Sequence, residues 1–311
     1  MQKPLKFTYL GIVLIIFSLS LTDIDPAIFR RARQFSGLES TIYSRPVKFV
    51  ALDVDFTLTD RREPIGRDII EAIFDLNEKG IAICIISGVF YEAMDRKVIS
   101  QIRQYEANSQ RGFDWENFYI FAAGGSEGYA FDREGREYQI FQRSFTQAQD
   151  DSIEKAVEDF KITYGPDSIT EVYRSTGKFT AYFKNTGAGA VAEYLRFFMD
   201  KLSDADVRIS AAGNSESIDI TVADKGDALR FIKNLLGLRA ENIMVLGDSF
   251  KEFYGNDRPM IIDGALVLNV GDVVADPRVI NTRDFLAPDV EGPQHTKAIL
   301  AMLLGKRESI I

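Results

Sequence analysis

Two aspartates two positions apart, Asp53 and Asp55, follow the apolar run Val47 to Leu52. Carboxylates this close repel each other unless a proton or a cation separates them. A magnesium ion would resolve the repulsion, because it takes oxygen ligands and only a few protein carboxylates, leaving room for water and phosphate. Three further patches follow in order. Ser87 and Gly88 come directly after the run Ile81 to Ile86 and offer a hydroxyl and backbone N–H groups to a phosphate oxygen. Lys225, within Asp224-Lys225-Gly226-Asp227, opens a helical pattern, where the helix dipole favours anions. A phosphate or carboxylate partner would explain a lysine there. Asp248, within Gly247-Asp248-Ser249, leaves the run Ile243 to Leu246, and Asn256-Asp257 stands shortly before Pro259. Each patch also has a plain structural alternative: a strand-end cap, a turn, a solvated lysine, a polar loop.

The elements that must hold these residues are legible as patterns. The runs at Val47, Ile81, Phe118 to Ala123, Ile243 and Ala265 to Val270 are apolar without alternation, as expected of strands buried on both faces of a parallel sheet. Ile69, Ile70, Ile73, Phe74 and Leu76 share one helical face that ends at Gly80, and Ala228 to Leu236 repeats the pattern before Gly237. Alternating strands and helices indicate an α/β sheet, in which ligands gather at the carboxyl ends of the strands. The middle of the chain differs. Helical patterns at Asp150 to Phe160 and Ala188 to Leu202 flank a strand pair, Ile169 to Tyr173 and Lys178 to Lys184, with a further strand at Val207 to Ala211. A tight turn at Ser175-Thr176-Gly177 makes that pair antiparallel. The organisation expected is an extension over 1–44, an α/β core over 45–142 and 215–311, and an α+β insert over 143–214. A hairpin from Tyr129 to Phe141 lies at the junction.

Composition narrows the function. The 311 residues carry a formal charge of -9, so a bare nucleic-acid binder, which needs a basic face, is disfavoured. A single cysteine, Cys84, rules out an internal disulfide and reads as a buried apolar residue. A single histidine, His295, sits in a Gly-Pro-Gln-His turn and leaves little for a Ser-His-Asp machine. The uncharged run Phe7 to Leu21, preceded by Lys3 and Lys6, reads either as a signal or short anchor or as a packed segment before a helix at Pro26 to Phe35. The expected location is cytoplasmic, with export or anchoring through residues 7–21 as the alternative.

The order Asp-x-Asp-x-Thr, Ser-Gly, Lys-Gly and Gly-Asp…Asn-Asp resembles the haloacid dehalogenase superfamily over about Val47 to Gly305. The likeness is to its type IIB, Cof-like and sucrose-phosphate phosphatase-like members, with a large cap between the second and third motifs. The resemblance implies a Rossmann-like core and a phosphoric monoester hydrolase. It implies Asp53 as nucleophile and Asp55 as acid and base, with Thr57, Ser87, Gly88 and Lys225 holding phosphate. It further implies Mg²⁺ on Asp53, on the Asp55 carbonyl and on Asp248, supported by Asn256 and Asp257. The substrate implied is a small phosphorylated metabolite, a sugar or glycoside phosphate by likeness in Gly-Asp-Ser, Asn-Asp-x-Pro-Met and Glu291-Gly292-Pro293. A phosphomannomutase-like mutase and a non-catalytic phosphosugar binder are the alternatives.

Three positions depart from the family pattern. Phe56 replaces its usual glycine, Val89 replaces a common arginine, and Phe250 to Gly255 lengthen the fourth motif. The length of that motif leaves two candidates for its second acid, Asp257, which is favoured, and Glu252. Arg174, Lys178, Tyr182 and Lys184 are candidates for substrate selection in the insert, without a motif to support them.

Overall fold

The structure is a computed structural model, and it describes residues 36–60, 63–184, 188–211, 217–251, 255–286 and 292–305. The 7–21 run, the 26–35 helix and Glu252 lie outside the described residues. Among the described residues no helix is long and apolar enough to cross a membrane.

Strands β1 (Phe49–Leu52), β2 (Ala82–Ile86) and β3 (Phe118–Ala122) alternate with α1 (Arg67–Glu78) and α2 (Ser100–Ser109). An antiparallel pair, β4 (Glu127–Phe131) and β5 (Glu137–Gln142), follows. The next segment holds α3 (Gln147–Tyr164), β6 (Ile169–Arg174), β7 (Lys178–Phe183), α4 (Ala188–Lys201), β8 (Arg208–Ala211) and β9 (Ser217–Thr221). The chain then returns through α5 (Lys225–Leu235), β10 (Ile243–Gly247), β11 (Leu266–Asn269), β12 (Val279–Asn281) and α6 (Gly292–Leu303). His295 lies in α6 rather than in a turn, and its buried Nδ1 meets the Thr282 hydroxyl at 2.9 Å.

Among the described residues the strands form two sheets. The larger runs β12-β11-β10-β1-β2-β3-β4-β5, parallel from β12 to β3. Its strands are apolar throughout because both faces are covered. Val50 and Leu52 pack with Ile73, Phe74 and Ile299 on one side, while Phe49 and Ala51 pack with Ala228, Leu229 and Ile232 on the other. Cys84 is buried in β2. The order of connection reverses between β1 and β10, which are hydrogen-bonded neighbours. Chains leaving the two strands therefore diverge and open a crevice at their carboxyl ends.

The smaller sheet runs β6-β7-β9-β8 and is antiparallel. Phe179, Ala181, Ile218 and Ile220 meet Phe160 and Phe198 of α3 and α4 in a separate core. The alternate residues, Lys178, Thr180, Tyr182, Ser217 and Asp219, face the crevice of the larger sheet. β9 takes this sheet to Thr221, beyond the expected limit at 214. Its alternation, Ser-Ile-Asp-Ile-Thr, is a half-buried strand pattern.

Candidate active site

The loop after β1 is wound on a single carbonyl. The amides of Thr57, Leu58 and Thr59 all donate to the oxygen of Val54, at 3.2, 2.8 and 3.1 Å. This tight winding forces Phe56 to φ 60°, in the left-handed region that a side chain resists and glycine does not. The usual family glycine at this position therefore has a conformational reason. Gly292 closes the loop from outside: a Cβ there would run into the Phe56 carbonyl oxygen. The late Gly292-Pro293 motif thus packs on the turn that carries Asp55.

Asp53 continues the β1 ladder, donating its amide to Leu246 of β10 at 3.0 Å. Its carboxylate accepts from the Lys225 ammonium at 2.6 Å, and Lys225 also donates to Asp257 at 2.5 Å. Lys225 opens α5, whose N-terminus is capped by Asp224 and Asp227 in a reciprocal box. The lysine is turned inward and buried between the two carboxylates. Burial alone would lower its pKa, but Asp257 and Asp53 outweigh that and hold the ammonium above its usual value.

Asp257 is fully buried. Its second oxygen accepts the amides of Asp248 and Ser249 at 3.0 and 2.9 Å, so it ties the end of β10 to Lys225. Gly247 makes this possible, because a Cβ there would sit 2.5 Å from that oxygen.

Asp53, Asp248 and Asp257 bring carboxylate oxygens within 4.8 Å of one another. Burial, then Asp257, pushes Asp53 up to about 7 despite the opposing Lys225. Burial, then Asp257 and Asp53, pushes Asp248 up to about 9. Three carboxylates thus share one buried ammonium, and the excess negative charge is what a cation would relieve. Oxygen-only donors suit a hard divalent ion such as magnesium rather than a thiolate- or imidazole-seeking metal.

A cavity of about 420 Å³ lies over these residues, between the two sheets. The larger sheet supplies Asp53, Asp55, Ser87, Gly88, Asp248 and Asn256 to its wall. Ser87 is buried and held by its amide to Phe121 at 2.9 Å. The Asn256 side-chain oxygen is buried, with no hydrogen-bond partner among the described residues. Lys225 and Asp257 stand behind the wall. Thr57, an expected phosphate contact, is not on it: it is fully buried, and its hydroxyl has no partner among the described residues.

Two features escaped the sequence. From the smaller sheet, the Lys178 ammonium reaches Asp219 at 2.8 Å and the Gly88 carbonyl at 2.5 Å, and Thr180 donates to Asp219 at 2.7 Å. Lys178 had been one of four polar candidates, but Asp219 had no signal apart from its place in an alternating strand. Arg174, another candidate, instead pairs with Asp150 and Glu154 of α3. On the core side, Lys97 donates to Asp55. Lys97 rides on one π-helical turn, Asp95–Ile99, inserted before α2. Such widened turns concentrate at functional sites.

No protein-family model matches the chain. It is 27% identical over 214 residues to a phosphoglycolate phosphatase of Thermoplasma volcanium, covering 69% of this chain and 80% of that one. The fold is similar to that of an IMP-bound IMP-nucleotidase of Plasmodium falciparum, with a TM-score of 0.65 at 15% identity over 94% of this chain and 78% of that one. It is also similar to a HAD/COF-like hydrolase of Plasmodium vivax, with a TM-score of 0.59 at 14% identity over 86% and 99% of the two chains. The chain thus resembles phosphatases in sequence, and its fold is that of a HAD/COF-like hydrolase. The doubly covered sheet and the second sheet over the crevice are the features in which the fold is similar to these structures.

Proposed function

We propose that this protein is a magnesium-dependent phosphatase that hydrolyses a small phosphorylated metabolite, a sugar or glycoside phosphate, through an aspartyl-phosphate on Asp53. The observation that carries the reading is the convergence of Asp53, Asp55, Ser87 and Asp248 on one cavity wall with Lys225 bonded behind Asp53. The smaller sheet, from about residue 143 to Thr221, acts as the cap. Its polar face of Lys178, Thr180, Tyr182 and Asp219 suits the hydroxyls of a sugar.

Asp53 attacks phosphorus while Asp55 gives a proton to the leaving oxygen. Asp55 then takes a proton from the water that hydrolyses the aspartyl-phosphate, so a carboxylate nucleophile divides one hard displacement into two. The Ser87 hydroxyl and the amides beside Gly88 hold the phosphoryl oxygens, and the Lys225 ammonium adds its positive charge from behind Asp53, since phosphoryl transfer is mainly positioning and charge stabilisation. Asp53, Asp248 and the Asp55 carbonyl would hold the magnesium ion, which supplies charge neutralisation at those oxygens when bound. Asp257 fixes Lys225 and the β10 end.

The test is phosphate release from a panel of phosphorylated metabolites, with magnesium and with chelator, by wild type and Asp53→Asn. We expect magnesium-dependent release, lowered in Asp53→Asn by about 10⁴-fold or more, a loss of the size seen when a nucleophile is removed. The circular dichroism spectrum should not change. Appreciable turnover in the variant would refute the mechanism.

A further inference from the structure

We propose that Lys97 is a positioning residue for Asp55. It holds the Asp55 carboxylate on the cavity wall and off the acidic cluster, where that carboxylate would otherwise become a further ligand to the cation. The proposal rests on the phosphatase reading and adds to it a residue from outside the four motifs.

The proposed reaction gives Asp55 two tasks that must be kept apart. Its carbonyl serves the metal, while its carboxylate must come within hydrogen-bond distance of the leaving oxygen and then of water. The loop settles the backbone. Three amides share the Val54 carbonyl, and the Phe56 amide donates to the Thr59 carbonyl at 2.8 Å. None of these bonds sets the two side-chain torsions of Asp55. Asp53 and Asp248 line the same cavity as Asp55, and with Asp257 they bring carboxylate oxygens within 4.8 Å of one another. The Asp55 carboxylate is not in that group. A divalent ion held there attracts any further carboxylate that can turn towards it. The Lys97 ammonium gives Asp55 a competing partner.

Lys97 is built to keep its place. It lies on the π-helical turn Asp95–Ile99, between a short helix, Tyr91–Met94, and α2. Val98 and Ile99, which follow it, are buried in the core, and the Lys97 carbonyl accepts the Ile65 amide at 3.0 Å. Its side chain is only 12% exposed, so most of its rotamer freedom is already spent. Among the described residues Asp55 is the partner of its ammonium. Other cations near the cavity are engaged elsewhere, Lys178 with Asp219 and Lys225 with Asp53 and Asp257. Arg96 lines the wall beside Lys97. The Asp55 side chain is 30% exposed, and an ion pair so open to water adds little to stability. Its consequence is therefore where the carboxylate stands. Asp55 makes a further interaction as well, so removing Lys97 loosens the carboxylate and forfeits part of the acid and base contribution.

The experiment is a double-variant cycle on the full chain: wild type, Lys97→Met, Asp55→Asn and the two changes combined, with Lys97→Arg as the conservative variant. The substrate is p-nitrophenyl phosphate. Its leaving group departs without a proton, so kcat reports hydrolysis of the aspartyl-phosphate, the step in which Asp55 is the base. Lys97→Met should lower kcat about 10- to 100-fold, as a misplaced catalytic group does, with KM within about twofold. Lys97→Arg should recover part of the loss. On the Asp55→Asn background Lys97→Met should change kcat by less than about twofold, because a residue that acts through Asp55 has nothing left to position. The melting temperature of Lys97→Met should stay within about 4 °C of wild type. Magnesium binding, measured by calorimetry without substrate, should be severalfold tighter in Lys97→Met, and the change should be smaller on the Asp55→Asn background. Equal kcat losses on both backgrounds, an unchanged kcat in Lys97→Met, or unchanged or weaker magnesium binding there would overturn the proposal and leave the phosphatase reading standing. A wild type that releases no phosphate would overturn both.

Discussion

The two sheets use the same amino-acid alphabet in opposite ways. In the larger sheet both faces are buried, so every residue of β1, β2 and β10 is apolar or small and none is free to do chemistry. The groups proposed for the chemistry are pushed to the strand ends, where Asp53, Ser87 and Asp248 leave the ladder. In the smaller sheet one face is packed on α3 and α4 and the other is turned to the cavity. The groups proposed for recognition lie there along the strands, at every second residue: Lys178, Thr180 and Tyr182 on β7, Ser217 and Asp219 on β9. Strand ends are held by a closed hydrogen-bond network in a dense core, so they hold chemical groups rigidly. An open face tolerates exchange of one side chain for another, so it suits recognition.

If that division is right, substitutions at the strand ends should act on kcat and stability together, and substitutions on the cap face on KM. The largest effect expected in breaking it comes from Asp257→Ala. That change leaves Lys225 with one partner fewer and strands the amides of Asp248 and Ser249, so stability should fall by about 3–5 kcal/mol, the range for a broken buried ion pair. Activity should fall with it, and by more than in Glu252→Ala. Chemical denaturation and kcat measured on both variants decide this, and the reverse ranking would show that Glu252 holds the acidic role.

Lys178→Met sharpens the other side. It removes the cap ammonium from Asp219 and from Gly88. KM for hydroxylated substrates should rise about tenfold, as for a lost charge-assisted hydrogen bond, while kcat stays within a few-fold. A uniform fall in kcat with unchanged KM would place Lys178 in the chemistry and erase the distinction between face and edge.

The smallest effect expected is at Phe56→Gly. The left-handed φ costs a side chain about 1–2 kcal/mol. Glycine should recover about 1 kcal/mol of it after its own entropy cost, raising the melting temperature by about 2–4 °C. A lowered melting temperature would mean that the ring, which lines the cavity, packs there more favourably than the turn is strained.

Much of the core was readable because its signals are local. An uninterrupted apolar run can be satisfied only where both faces are covered, which specifies strands such as β1 and β10. An aspartate directly after such a run must stand at a strand end. The apolar face from Ala228 to Leu236 placed the start of α5 near Lys225, and a lysine set against the dipole there called for an anion. The alternation of β7 was legible in the same way. The sequence reading nevertheless stopped the cap at 214, because strand order is a long-range property: β9 is inserted between β7 and β8, and nothing in Ser217 to Thr221 names those neighbours.

The pairings that make the site work belong to the tertiary structure. Asp257 lies nine residues beyond Asp248, and only the return of the loop brings its carboxylate onto the amides of Asp248 and Ser249 and onto Lys225. Lys97 lies forty-two residues from Asp55, on a helix whose pattern gave no hint of a widened turn. Sequence by itself determined which residues could carry charge at the ends of which strands, because burial and backbone pairing act over a few neighbouring positions. Which cation faces which carboxylate was decided by the packing of the helices and the cap on the sheet, because electrostatic pairing depends on distance in space and not along the chain.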